Sequence, residues 1–138
     1  MNTENLIRDL EDIINSIDLS VIPYQKGNSI RIKNYVIRKN KHGYNIYDCS
    51  TNKPLTKTHF RSSAIAIVKS LIQGKNKISP IETLDKKMLK YYNDAMFYRD
   101  TIKKTRDPFV KETREIRLSI AVEETQVIKQ RLEDFIFD

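Results

Sequence analysis

Leu6, Ile7, Leu10, Ile13, Ile14 and Ile17 recur at spacings of three and four, which lays one apolar stripe along a helix near the start of the chain. Asn2 or Thr3 supplies its N-cap, and the acids of the early turns suit the positive end of the helix dipole. Pro23 favours an extended residue before it and Lys26-Gly27-Asn28 reads as a turn, so the helix ends before that point. The period then changes from helical to two. Strands are predicted over 29–33, 35–39 and 44–49, with Asn40-Lys41-His42-Gly43 as a hairpin loop whose glycine accepts positive φ. After a turn at Ser50-Thr51-Asn52-Lys53, residues 54–58 form a fourth strand only at a sheet edge, because Pro54 has no ladder donor.

Helical spacing returns beyond the strands. Ser62 or Ser63 caps a helix through Ala64, Ile65, Ala66, Ile67, Val68, Leu71 and Ile72, closed by Gly74. Apolar residues occupy most of its circumference, which predicts burial against the sheet. Ser79, Pro80 and Glu82 then match a capping box with proline in the first turn. From there Ile81, Leu84, Met88, Tyr91, Ala95, Tyr98 and Ile102 alternate spacings of three and four, the seam of a helix packed lengthwise on another. Asp107-Pro108 repeats the cap-then-proline signal, and Phe109, Thr113, Ile116, Ile120, Val127, Ile128, Leu132 and Phe135 carry a partner stripe onward. So short a connection makes the two helices antiparallel neighbours. Tyr92, Met96 and Phe97 fall on flanking faces, which calls for a further neighbour: another part of the chain or a second copy.

The predicted class is α+β: an N-terminal helix, a small antiparallel sheet of three strands, or four with the edge segment, a packed helix, and a long αα-hairpin. Residues 1–78 form the sheet-and-helix part and 79–138 the hairpin arm.

Composition narrows the functions open to this chain. A length of 138 residues allows one compact domain, or a small domain with a helical appendage. With 39% hydrophobic and 31% charged residues it is neither disordered nor membrane-spanning in composition. No stretch approaches the roughly 18 apolar residues of a membrane helix, and the first residues lack a secretory pattern. A cytosolic setting is expected. Cys49 is the single cysteine and forms neither an internal disulfide nor a cysteine-rich zinc site.

Net charge is +7, and its distribution is uneven. Residues 1–22 carry Arg8 against five acids, residues 23–80 carry twelve Lys and Arg against Asp48 alone, and residues 81–138 carry twelve of each sign. All the excess lies in the strand region, the first place to look for an anionic partner.

No sequence motif supports catalysis: there is no phosphate-binding glycine loop, nucleophile elbow or zinc-spaced cluster, and no cofactor is implied. His42, His59 and Cys49 beside Asp48 match no ligand spacing, and are better read as loop histidines and a small apolar cysteine. Glu123-Glu124 and Glu133-Asp134 read as solvated helix surface.

If Ile30, Ile32, Ile37, Tyr44 and Ile46 face the helix, alternation sends Arg31, Lys33, Arg38, Asn45 and Tyr47 to the other face. Lys26, Lys39, Lys41, Lys53, Lys57 and Arg61 extend it as a positive rim. Cations neutralise phosphates, asparagine reads an adenine edge and tyrosine stacks, so the mixture suits nucleic acid. An ordinary solvated sheet face mixes signs, and the missing acids favour a polyanion instead. Arg99, Lys103, Lys104, Arg106, Lys111 and Arg114 make a second basic cluster, one that acids dilute and a helix C-terminus explains.

The stretches 41–49 (Lys-His-Gly-Tyr-Asn-Ile-Tyr-Asp-Cys), 91–98 (Tyr-Tyr-Asn-Asp-Ala-Met-Phe-Tyr) and 101–109 (Thr-Ile-Lys-Lys-Thr-Arg-Asp-Pro-Phe) resemble short proteins of tailed phages of marine bacteria, T4-like cyanophages among them. The resemblance covers most of the chain and implies a phage accessory or virion protein, with no activity or site residue to carry over. Three strands followed by a helix is also similar to the small sheet domains of AP2 proteins and integrase N-termini, which lay a sheet face in the DNA major groove. That second likeness is one of fold alone. The expected function is non-enzymatic nucleic-acid binding, with the hairpin as scaffold or oligomerisation arm. The alternatives are a virion or assembly protein packed against acidic protein partners, and an inhibitor of a host nucleic-acid enzyme. The expected location is the host cytoplasm or the virion.

Overall fold

The computed structural model describes residues 3–15, 24–27 and 29–137. Asn2, Ile17, Pro23 and Asn28, which entered the sequence reading, lie outside them. The first element, α1 (Thr3–Asn15), buries Ile7 and Leu10, two members of its stripe. Five strands follow as an antiparallel meander in chain order: β1 (Tyr24–Lys26), β2 (Ser29–Ile32), β3 (Tyr35–Asn40), β4 (Gly43–Asp48) and β5 (Lys53–Thr58). The edge strand foreseen from Pro54 is β5, and β1 is an addition that three residues were too few to signal. Gly27, at φ 57°, takes the left-handed turn between β1 and β2.

Register explains the inner face. Ile30 stands opposite Ile37 and Ile37 opposite Ile46, a cross-strand row on the side where α2 (Arg61–Ile72) packs. The residues from Ser62 to Val68 are all buried, because the sheet covers one side of α2 and the helical hairpin covers the other. Ser62 and Ser63 therefore do not cap this helix. They lie inside it, while Asp85 from α3 (Ile78–Lys104) accepts the backbone N–H groups of His59 and Phe60 at the helix entrance. A carboxylate supplied across space does the work expected of a local hydroxyl.

Likewise α3 begins one residue before Ser79, with Lys77 at its N-cap position, and Pro80 sits in its first turn. The Glu82 carboxylate does not close a capping box: it accepts the Thr56 hydroxyl of β5 at 2.7 Å. The next start does follow its signal. In α4 (Pro108–Phe137) the Asp107 Oδ1 accepts Phe109 N–H at 2.9 Å, and proline occupies the first turn.

Two apolar clusters meet along the hairpin. One joins the sheet and α2 to Ile81, Leu84 and Met88 of α3 and to Ile128, Leu132 and Ile136 of α4. The other joins Ile7 and Leu10 of α1 to Ala95, Ile102, Leu118, Ala121 and Val122. Pairing the start of α3 with the end of α4, and the reverse, makes the helices antiparallel. The division after residue 78 falls within the first turn of α3, one residue past the helix start, and the hydrophobic core runs across it.

The side of α4 facing inward differs from the expected stripe. Leu118, Ala121, Val122, Thr125, Ile128, Leu132 and Ile136 are buried, whereas Phe109, Ile116, Ile120 and Val127 are exposed. This helix carries apolar residues on two sides, and the small Ala95 and Ala121 let α3 approach one of them closely.

Candidate nucleic-acid interface

Because successive strand residues alternate, the face opposite α2 is fixed by the same register. Arg31 is opposite Val36, and Val36 opposite Tyr47; Arg38 is opposite both Ser29 and Asn45, and Asn45 opposite Lys57. These two adjacent rows bring Arg31, Arg38, Asn45, Tyr47 and Lys57 onto one surface. Ser29 and Val36 share it, and simple alternation from Arg31 was the signal that would have found Ser29. The Arg38 guanidinium lies 5.2 Å from the centre of the Tyr47 ring, a cation–π contact that holds it against the sheet. Arg31 Nε donates to the Lys33 carbonyl at 3.2 Å.

The remaining predicted positions divide. Lys33 is not on the face: it occupies the two-residue turn between β2 and β3 at φ 52°, and a turn residue no longer follows strand alternation. Lys39 is paired with Tyr44 on the α2 side of the sheet, exposed near the strand end, and Lys41 sits in the β3–β4 loop. Lys53 stands opposite Asp48 at the far end, also on the α2 side by register. Arg61 opens α2 and is half-buried beneath the sheet, away from the outer surface. Lys26 belongs to β1, which pairs with β2 at the edge.

Electrostatics separate this surface from the rest of the molecule. Among the described residues, no Asp or Glu lies on the outer face of β2–β5, and none of Arg31, Arg38, Lys39, Lys41, Lys53 or Lys57 is in an ion pair. Asp48, the region's single acid, is turned to local use. It accepts the Ser50 hydroxyl at 2.7 Å and the Ser50 N–H at 2.9 Å, and these bonds hold its carboxyl below the usual carboxylate range. The hairpin-tip cluster is different, since Arg99 bonds Asp100 at 3.2 Å, Lys103 pairs with Glu4 at 3.3 Å, and Arg114 donates to the Thr101 carbonyl at 3.3 Å.

Of His42, His59, Cys49 and Asp48, weighed together from the sequence, only the two histidines come together. His42 and His59 line the same cavity at the end of the sheet where β3 turns into β4. His59 Nδ1 lies 2.8 Å from the buried Asp85 carboxylate. Cys49 and Asp48 are at the opposite end of β4, a six-residue strand of about 20 Å, so they do not join the histidines.

No helix among the described residues is long and apolar enough to cross a membrane. Comparison with family models, curated proteins and solved structures returns no match. The class defined by fold and surface is an α+β protein with a cationic sheet face.

Proposed function

We propose that this protein binds nucleic acid through the outer face of β2–β5, without catalysing a reaction, and that the α3–α4 hairpin is its oligomerisation arm. The observation that carries the reading is the cationic face with no carboxylate of the described chain on it. Unpaired cations on neighbouring strands repel one another, and a polyphosphate relieves that repulsion while releasing its own counterions. Tyr47 and Asn45 between the cations add a stacking surface and a base-edge donor–acceptor. The sequence resemblance to phage proteins supports an accessory role in phage infection.

Binding of short labelled DNA and RNA to the full chain across a salt series tests this. With Arg31, Arg38 and Lys57 on phosphates, log affinity falls against log salt with a slope of about −3 for duplex DNA. Unchanged retention after Arg31→Glu, Arg38→Glu and Lys57→Glu together excludes this face.

The arm is assigned to a second copy of the chain. Phe109, Ile116, Ile120 and Val127 are 76%, 49%, 50% and 48% exposed, and their spacings of seven, four and seven follow a single heptad seam. In a parallel pair, Glu112 of one copy stands at the flanking position against Arg117 of the other, an attraction that favours self-pairing. This same stripe also favours the second reading, a virion or assembly protein whose basic face meets acidic subunits. Stoichiometric copies in purified particles, with no nucleic-acid retention by the free protein, establish that alternative.

A further inference from the structure

The cavity at the β3–β4 end of the sheet is about 290 Å³ and is lined by Asn40, His42, Asn45, Lys57 and His59 among others, with no carboxylate in its wall. Asn45 and Lys57 belong also to the outer cationic face, so the cavity opens at that face's margin. Its two imidazoles come together because β5 pairs with β4 just below the hairpin loop. A Cβ on Gly43 would fall 2.2 Å from the Thr58 carbonyl oxygen, so glycine alone permits this approach of the turn that carries His42 to the end of β5 next to His59.

The histidines are held differently. The His42 N–H donates to Asn40 Oδ1 at 2.8 Å, which shapes the loop and leaves the ring exposed. The His59 ring is fixed through Nδ1 by Asp85, whose carboxylate also accepts the His59 and Phe60 N–H groups. An imidazole whose Nδ1 donates to a carboxylate has Nε2 left for a ligand. A lysine, two imidazoles and two carboxamides form a donor set suited to phosphate oxygens rather than to a cation.

We infer that this cavity is a phosphate-binding site that receives a backbone or terminal phosphate of a nucleic-acid strand lying on the outer face. The inference rests on the nucleic-acid reading above and adds to it a pH-dependent anchor. Histidine changes charge between about pH 5 and 8, so affinity rises on acidification. The charged and titratable groups facing the pair are Lys57 of β5, Tyr44 of β4, Asp85 and Tyr92 of α3, and Glu11 of α1, which borders the adjoining cavity.

The test compares the full chain with a His42→Gln/His59→Asn variant. The asparagine amide can take over the bond of Nδ1 to Asp85, and His42 is exposed, so the fold is kept. Affinity for a labelled oligonucleotide increases about tenfold in the parent protein between about pH 8 and about pH 5.5, and stays flat in the variant. A variant that retains the increase overturns the site while leaving the sheet-face reading intact. Absence of salt-sensitive retention by the parent at either pH overturns the sheet-face reading instead. Inorganic phosphate, used alone as a probe in NMR of the imidazole nitrogens, separates the two: shifts at both histidines that Lys57→Met weakens support the site, and no shift overturns it.

Discussion

The outer face of the sheet and the outer side of α4 are both exposed, yet they are built on opposite principles. The sheet face carries Arg31, Arg38 and Lys57 with no acid among them, while α4 presents Phe109, Ile116, Ile120 and Val127 amid both signs of charge. A surface of one sign draws a partner from a distance and loses it to salt. An apolar seam acts only on contact and is nearly indifferent to salt. Different partners are expected: a polyanion for the first and another helix for the second. The difference also shows how charge concentrated in one part of a chain becomes a surface. In the strands alternation sends Arg31, Arg38 and Lys57 to the outer side and leaves Lys39 and Lys53 on the other, whereas along the hairpin Arg99 and Lys103 meet nearby acids.

The comparison breaks most readily at the sheet. Replacing Arg31, Arg38 and Lys57 with glutamate is expected to lower nucleic-acid affinity by about 1,000-fold at low salt, read by fluorescence anisotropy. Self-association, measured by sedimentation, should be unchanged.

Next in size is the joint between the two regions. Asp85 of α3 accepts three donors at the entrance to α2, and it is 2% exposed. Its replacement by alanine leaves those donors without their acceptor and is expected to cost roughly 3 kcal/mol in urea unfolding. A loss below about 1 kcal/mol would show that water replaces the carboxylate and that the joint is not rigid.

At the seam, Ile116→Ser with Ile120→Ser should weaken self-association at least about tenfold while changing monomer stability by less than about 1 kcal/mol, since both positions are exposed. Nucleic-acid affinity per chain should persist. Loss of both properties together would mean that the two surfaces are not separable.

The smallest effect concerns Asp48. Its bonds to Ser50 lower its pKa in the folded chain, so its contribution to stability is present above the ordinary value of 3.8 and is lost as pH falls through the folded value. Asp48→Ala should therefore reduce stability slightly at neutral pH, and the gap to the parent should close in acid. A gap that stayed constant in acid titrations followed by circular dichroism would contradict the Ser50 contacts.

How far the sequence spoke can be seen residue by residue. Period two placed Ile30, Ile37 and Ile46 inward and Arg31, Arg38 and Asn45 outward, because strand geometry is local and the alternation unbroken. It failed at Lys33, one residue past the end of β2, where the chain reverses. Asp107 and Pro108 announced α4 correctly because both groups act within one turn. Ser62, Ser63 and Ser79 misled for the converse reason: tertiary contacts supplied the entrance to α2, and α3 started earlier.

By itself the sequence determined the α+β class, the order of the elements, the inner row of isoleucines and the concentration of cations in the strands, since these follow from periodicity and composition over short stretches. Only the tertiary structure decided which of two apolar sides of α4 meets α3, that Asp85 closes the start of α2, and that His42 and His59 share a cavity. Those outcomes join residues far apart in the chain, and packing selects among partners that local preference leaves equivalent.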